Sequence, residues 1–324
     1  MTSSTAPVID VSGLRKRYGR IDALVDLTMR VQSGEVFGFL GPNGAGKTTT
    51  VKLLLGLARP SGGSGRHGRV LGASLGDREA RRRVGYLPEL FRYQPWLRAR
   101  EVLWLHADLI GLPRAGRPRA IDEVLGLVGL ADRASDSVSG FSKGMQQRLG
   151  LGVALLGDPA LVILDEPTSA LDPIGRIDVR AILRTARDRG AAIFLNSHLL
   201  SEVEQVCDRV AIVDRGRVVA EGPLAHVLGE EETRIRVERL APASLGELAG
   251  FGDPRLEADE LVLRELPGER IPDVVATLVG MGVRVHAVRS GRESLEQRFL
   301  ELIGGARPPT ATERGSGPDR ERAP

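Results

Sequence analysis

The sequence is poor in cysteine and contains no long apolar run. Its single cysteine, Cys207, excludes an internal disulfide and is typical of a protein kept in a reducing compartment. The best candidate for a membrane span, residues 149–164, is interrupted by Asp158 and Pro159, so no segment reaches the roughly 18 apolar residues that a spanning helix needs. The first twenty residues are polar and lack the apolar core of a secretory signal. We therefore expect a chain that does not itself cross a membrane.

The chain also lacks a large excess of either positive or negative charge. The chain carries 45 basic and 42 acidic residues, a net charge of +3, which is weak support for a polyanionic partner, and we expect no nucleic acid. Lysine is scarce, and arginine supplies most of the positive charge. The four lysines are Lys16, Lys47, Lys52 and Lys143. A length of 324 residues with 42% hydrophobic residues predicts one large domain and a smaller one.

Strand-like and helix-like segments alternate in the first part of the chain, which predicts an α/β domain over residues 1–228. The stretches "LVILDEP" (161–167) and "AAIFLNSH" (191–198) are typical of buried strands that end in polar residues. Residues 209–222 predict a hairpin that turns at Arg215 and Gly216. The segment from about 97 to 155 has a mostly helical pattern and predicts a helical subdomain.

A second unit is predicted over residues 229–304. Its sequence pattern favours a small α+β domain of ferredoxin-like topology. The elements follow in the order strand, helix, an optional strand, strand, helix and strand. A last helix, "SLEQRFLELIG", opens with Ser294 and Gln297, which match a capping box. The polar, proline-rich residues 305–324 predict a disordered tail.

A glycine-rich loop carries the first chemical signal. Residues 41–48, "GPNGAGKT", match the phosphate-binding pattern G-x-x-x-x-G-K-[ST]. An apolar strand pattern precedes the loop and a helical pattern follows it, which is the context that this motif requires. Backbone N–H groups and the helix N-terminus would hold phosphates, while Lys47 would reach the β- and γ-phosphates and Thr48 would bind Mg²⁺. A glycine-rich turn that binds nothing is the weaker interpretation.

Acidic residues end the strand at 161–165. Asp165 and Glu166 lie where open α/β sheets bind ligands, so Asp165 can hold the Mg²⁺ of the phosphate loop and Glu166 can activate a water molecule. A solvated acidic pair at a strand end is the alternative. His198 ends the next polar triplet and is a further catalytic candidate, although a lone histidine is more often structural.

Seven motifs in sequence order resemble those of the nucleotide-binding subunits of ABC transporters, over residues 8–225. They are "RYG" with Tyr18, the Walker A loop, "GYLPE" ending at Glu89, the signature "GFSKGMQQRL", the Walker B strand "LVILDEP", the D-loop "SALD" and the switch "NSH". The resemblance implies a P-loop NTPase fold of ABC type, with a mixed-sheet core and a helical subdomain, and an ATP hydrolase that uses ATP and Mg²⁺.

The resemblance also implies roles for individual residues. Glu166, His198 and Glu89 are the catalytic candidates, and Thr48, Glu89 and Asp165 are the candidate Mg²⁺ ligands. Tyr18 would stack on adenine, and Ser142, Lys143 and Gly144 would contact the nucleotide held by a second copy. The full set of candidate nucleotide-binding residues is Tyr18, Gly41, Pro42, Asn43, Gly44, Ala45, Gly46, Lys47, Thr48, Thr49, Ser142, Lys143, Gly144 and Asp172.

Two positions depart from the usual family pattern. Glu89 stands where most members have glutamine, and the signature reads Phe-Ser-Lys-Gly-Met at 141–145 rather than Leu-Ser-Gly-Gly-Gln. Both variants, and the closing "SLEQRFLELIG", resemble the exporter subfamily with ABC-2 type membrane partners, which includes ATPases of the daunorubicin-resistance kind. Lys143 of one copy either offsets the charge of Glu89 in the other or points to solvent, and the sequence leaves both open.

The resemblance therefore implies an ATPase that closes head-to-tail with a second copy over two ATP molecules. It would drive export of a drug, antibiotic or lipid-like small molecule through a separate ABC-2 type permease, which would hold it at the cytoplasmic face of the membrane. Two alternatives stay open: an importer ATPase with a regulatory C-terminal domain, and a soluble ABC ATPase without a transport role. Only 118 residues separate Lys47 from Asp165, without sustained heptads, which disfavours the chromosome-associated type.

Overall fold

The computed structural model describes residues 6–62, 68–169, 171–229, 231–264, 266–292 and 294–304. Ala170 of the D-loop and the tail predicted to be disordered lie outside these residues. In the described part of the chain, none of the helices has the length and apolar character needed to cross a membrane.

A ten-stranded mixed sheet forms the centre of the first unit. Its strands are β1 (Ile9–Tyr18), β2 (Ile21–Val31), β3 (Val36–Leu40), β4 (Gly68–Val70), β5 (Ala73–Ser74), β6 (Val84–Leu87), β7 (Leu161–Asp165), β8 (Ala192–Asn196), β9 (Arg209–Asp214) and β10 (Arg217–Pro223). The spatial order is β5-β4-β1-β2-β10-β9-β3-β8-β7-β6. Strands β9, β3, β8, β7 and β6 run parallel, and β9 and β10 form the predicted hairpin.

The parallel strands are apolar on both faces because both faces are covered. Along β3, Phe37 and Phe39 face one core, which they share with β1 and β2, while Val36 and Leu40 face the other. The second core is filled by helices. Covered parallel strands place their C-terminal ends, and the loops that follow them, at one edge of the sheet.

In the described part of the first unit, eight α-helices accompany the sheet. They are α1 (Lys47–Leu54), α2 (Arg78–Arg82), α3 (Ala99–Leu109), α4 (Arg117–Leu127), α5 (Lys143–Leu155), α6 (Pro173–Asp188), α7 (Leu200–Val206) and α8 (Leu224–Val227). Helices α3, α4 and α5 occupy the segment with the helical sequence pattern. Their apolar sides join the same core as Val36 and Leu40.

The second unit is a four-stranded antiparallel sheet with its own core. Its elements are β11 (Glu232–Glu238), a 3-10 helix (Pro242–Phe251), β12 (Pro254–Glu257), β13 (Glu260–Arg264), α9 (Ile271–Gly280) and β14 (Arg284–Gly291). The order β12-β13-β11-β14, antiparallel throughout, is that of the ferredoxin-like topology. The helix expected after the first strand of this unit is a 3-10 helix instead, since Gly246 and Gly250 weaken α-helix formation there.

The last helix, α10 (Leu295–Gly304), returns to the first unit. Its predicted capping box forms, because the Ser294 N–H donates to Gln297 Oε1 at 3.1 Å and the Gln297 N–H donates to Ser294 Oγ at 3.2 Å. Leu295 is fully buried in the core beneath the parallel sheet. Its N–H donates to Glu204 Oε2 on α7 at 3.2 Å. The C-terminal helix therefore packs on α7, which follows His198.

Candidate nucleotide site

The phosphate loop depends on glycine at two places. Gly44 and Gly46 have φ values of 83° and 106°, in the left-handed region that favours glycine. A side chain at Gly46 would also lie 2.6 Å from Leu24 Cδ2 and 2.7 Å from the Ala23 carbonyl oxygen. The loop is thus pressed against β2, and α1 begins directly after it with its N-terminus directed at the loop.

Lys47 lies across the loop rather than away from it. Its Nζ donates to the carbonyl oxygens of Gly41 at 2.6 Å and Pro42 at 3.2 Å. Burial lowers the pKa of the Lys47 ammonium, and the carboxylates of Glu166, Asp165 and Glu89 oppose that change. The lysine and the three predicted acidic residues therefore share one electrostatic environment, although they come from three separate motifs.

A second loop supports the phosphate loop from behind. The Gly216 N–H donates to the Ala45 carbonyl oxygen at 3.0 Å, and the Gly216 carbonyl accepts from the Val25 N–H at 3.0 Å. Gly216 has a φ of 75°, and an added Cβ would lie 2.8 Å from Leu24 Cα. The sequence predicts the turn but carries no sign that it braces the nucleotide site.

Asp165 ends β7 and is buried. Its Oδ1 accepts a hydrogen bond from Nδ2 of Asn196, the last residue of β8. Burial raises the pKa of the Asp165 carboxyl, the Asn196 hydrogen bond opposes the rise, and Glu89 adds to it. Sequence reasoning did not select Asn196, whose position depends on the register between two strands 31 residues apart.

Glu166 follows Asp165 in a left-handed backbone conformation with a φ of 55°. Its Oε1 accepts the His198 N–H at 2.9 Å, and its Oε2 lies 2.8 Å from His198 Nδ1 and accepts from Ser197 Oγ at 3.4 Å. Glu166 is buried, whereas 62% of the His198 side chain is exposed. Two of the three catalytic candidates, Glu166 and His198, are thus in direct contact, and Ser197 is a partner that the sequence analysis did not select.

The signature lies at the start of α5. Ser142 caps this helix by accepting the Met145 N–H at 3.2 Å, and Lys143 is exposed at its first position. Buried Gln147 ties the helix to the Walker B segment, since its Nε2 donates to the Pro167 carbonyl at 2.8 Å. Among contacts between described residues, none joins Ser142, Lys143 or Gly144 to the phosphate loop of the same chain.

Most of the remaining candidates are exposed, whereas Pro42 and Thr49 are half-buried. Tyr18 ends β1 with 45% of its surface exposed, and Lys16 Nζ lies 4.7 Å from its ring centroid. Asp172 caps α6 by accepting the Gly175 N–H at 2.7 Å. Glu89 is exposed after β6, and Thr48 is exposed on the first turn of α1. Pro42, Asn43 and Thr49 complete the loop and the start of α1.

Comparisons with known proteins fit this arrangement. The family model for the ABC transporter domain matches residues 24–169. The bacitracin transport ATP-binding protein BcrA of Bacillus licheniformis is 35% identical over 305 residues, covering 92% of this chain and 98% of that protein. The chain belongs to the ATP-binding proteins of ABC transporters. The Nod factor export ATP-binding protein I of Ralstonia nicotianae is 33% identical over 311 residues, covering 93% of this chain and 95% of that protein.

The solved structure of an ATP-binding subunit of an ABC transporter supports the fold. The two chains are 35% identical in sequence and superpose with a TM-score of 0.62. The superposition covers 68% of this chain and 91% of the solved one. Membership confirms the predicted P-loop fold and makes the chain an ATP-binding ABC ATPase that hydrolyses ATP. ABC ATPases work as dimers with transmembrane partners.

Proposed function

We propose that the chain is the ATPase subunit of a bacterial ABC exporter that acts through a separate ABC-2 type permease. The observation that carries the proposal is the similarity, over more than nine-tenths of the chain, to proteins named for bacitracin transport and Nod factor export. Glu89 and the Ser-Lys-Gly-Met signature add to it. The cargo class is a small molecule such as a drug, an antibiotic or a lipid-like compound, and the permease would hold the chain at the cytoplasmic face of the membrane.

Hydrolysis would depend on Glu166. Its carboxylate is buried and hydrogen-bonded to His198 and Ser197, so its orientation is restrained before substrate arrives. In this site Glu166 accepts a proton from the attacking water, and His198 holds the carboxylate while contacting the γ-phosphate. Lys47 and the N–H groups of the loop hold the phosphates, and the Tyr18 ring stacks on adenine.

The donor set suits Mg²⁺. Thr48, Asp165 and Glu89 offer hard oxygen ligands, and Mg²⁺ usually takes one or two carboxylates together with phosphates and water. Within the described residues there is no cluster of three or more His, Cys, Asp or Glu side chains of the kind that forms a metal cage. When bound, the ion neutralises phosphate charge. Asp165 is already held in place by Asn196, so little rearrangement is needed.

The signature would complete the site of a second copy. Ser142 and Lys143 are exposed at the N-terminus of α5, and Gly144 follows them. A helix N-terminus favours an anionic group, and the Lys143 ammonium adds positive charge there. Lysine is otherwise scarce in this arginine-rich chain. Two copies would therefore close head-to-tail over two ATP–Mg²⁺, with Asp172 near the boundary between the sites.

Isolation of the complete transporter tests the proposal. The full chain is tagged and purified from detergent-solubilised membranes of its own organism, and the associated chains are identified by mass spectrometry. We expect a polytopic permease without a substrate-binding protein, and ATP-dependent uptake of cargo into inside-out vesicles. A substrate-binding protein in the complex would favour an importer, and association with ribosomes in place of a permease would favour a soluble ABC ATPase.

A further inference from the structure

Asn196 has an unusual position for an amide side chain. It is only 3% exposed, and its register neighbours are Asp165 on β7 and Phe39 on β3. Its Nδ2 donates to Asp165 Oδ1. Its Oδ1 is the buried side-chain atom, among the described residues, that has no hydrogen-bond partner.

Burial of the Asn196 amide lowers the stability of the fold, and a functional role of the side chain explains its presence in this place. A buried polar atom without a partner lowers stability, and a leucine, which has the same branched shape, would avoid that cost between apolar strands. The arrangement instead holds one oxygen of the Asp165 carboxylate from behind. The other carboxylate oxygen is left for a ligand.

We infer that Asn196 is a positioning residue that orients Asp165 for the divalent cation bound with the nucleotide. The inference rests on the proposed role of Asp165 as a Mg²⁺ ligand. Groups that hydrogen-bond metal ligands fix the direction of the ligand lone pairs, and their loss typically costs roughly 10–100-fold in metal affinity.

Two substitutions of Asn196 test the inference, and two further variants serve as control and reference. Asn196→Leu keeps the branched shape of the side chain, although it is larger, and removes the hydrogen bond. Asn196→Ala removes the hydrogen bond without added bulk and is used if the leucine variant does not fold. Thr233→Val is the matched control, because Thr233 is a buried polar residue, 1% exposed, that bonds Ser290 Oγ in the C-terminal sheet. Asp165→Asn serves as the reference for loss of the cation ligand.

The measurement is equilibrium binding of a fluorescent ADP to the full chain, first in EDTA and then across a Mg²⁺ titration. For the Asn196 variants we expect the Mg²⁺ concentration at the midpoint to rise roughly 10–100-fold, while ADP affinity in EDTA stays within about twofold of wild type. Thr233→Val should leave both values unchanged.

The outcomes separate the two claims. A raised midpoint in Asp165→Asn with an unchanged midpoint in both Asn196 variants would overturn the role of Asn196 alone. An unchanged midpoint in Asp165→Asn would contradict the proposed Mg²⁺ ligand itself. Weaker binding of ADP in EDTA, with no change in the Mg²⁺ midpoint, would show that Asn196 has only a structural role.

Discussion

Glu166 combines an uncommon backbone conformation with a side chain that is held by several contacts. A non-glycine residue with a φ of 55° is uncommon, and such conformations persist where surrounding contacts hold them. Here the Glu166 N–H donates to the Asn196 carbonyl at 2.9 Å, and both carboxylate oxygens are engaged at His198. The left-handed turn directs the Glu166 side chain to the end of β8, which places the proposed base beside the proposed switch histidine.

Cys207 makes a prediction at the scale of one residue. Its thiol is buried, and burial together with nearby Asp208 raises its pKa, so at neutral pH the reactive thiolate is scarce. We expect no reaction with a thiol-specific reagent such as Ellman's reagent in native buffer at pH 8, and one thiol per chain in guanidinium chloride. Rapid labelling of the native protein would contradict the buried position.

Close packing between α5 and β6 gives a prediction at the scale of elements. A Cβ at Gly85 on β6 would overlap the carbonyl oxygen of Ala154 on α5, so Gly85→Ala should lower the free energy of unfolding by about 1–3 kcal/mol or more. Gly126→Ala is the control, because Gly126 is an exposed residue of α4 with open space around it and should gain about 0.5–1 kcal/mol. Both are measured by urea unfolding, and equal effects would contradict the packing.

The return of α10 to the first unit gives a second prediction at this scale. Leu295 is fully buried, whereas Leu300 on the same helix is 62% exposed. Leu295→Ala should therefore lower the free energy of unfolding by about 2–5 kcal/mol, and Leu300→Ala should change it by less than about 0.5 kcal/mol. Chemical denaturation of the full chain provides both values. Similar losses in the two variants would show that α10 does not dock as the structure has it.

Local patterns and long-range contacts were not equally predictable. The phosphate loop, the hairpin at Arg215 and Gly216, and the capping box at Ser294 follow from short-range patterns, and the structure has all three. Three other contacts depend on the register between distant segments. They are the hydrogen bonds from Gly216 to Ala45, from Asn196 to Asp165 and from Gln147 to Pro167. A single sequence does not encode those registers in any local spacing, so sequence reasoning did not select these contacts.

At the scale of the whole molecule, the two departures from the family pattern can be tested together. Lys143 and Glu89 are both exposed in the single chain. The Glu89 carboxylate raises the pKa of Lys47 and so opposes the lowering by burial. If the lysine of one copy faces the glutamate of the other, Lys143→Gly should weaken ATP-driven dimerisation, and adding Glu89→Gln should recover part of the loss. ATP dependence of dimerisation is measured for all four proteins at two salt concentrations. Additivity within about 0.3–0.5 kcal/mol would leave Lys143 as a solvated residue.

The central claim is that Glu166 activates water in a site that two copies complete. The most direct measurement follows ATP binding, ATP turnover and oligomeric state in the Glu166→Gln variant, which keeps the size of the side chain and removes its basicity. We expect ATP binding close to wild type, turnover reduced by about 10²–10⁴-fold, and an ATP-dependent dimer that accumulates on size-exclusion chromatography. Near-normal turnover would show that the base lies elsewhere, and a variant that binds ATP and stays monomeric would contradict the shared site.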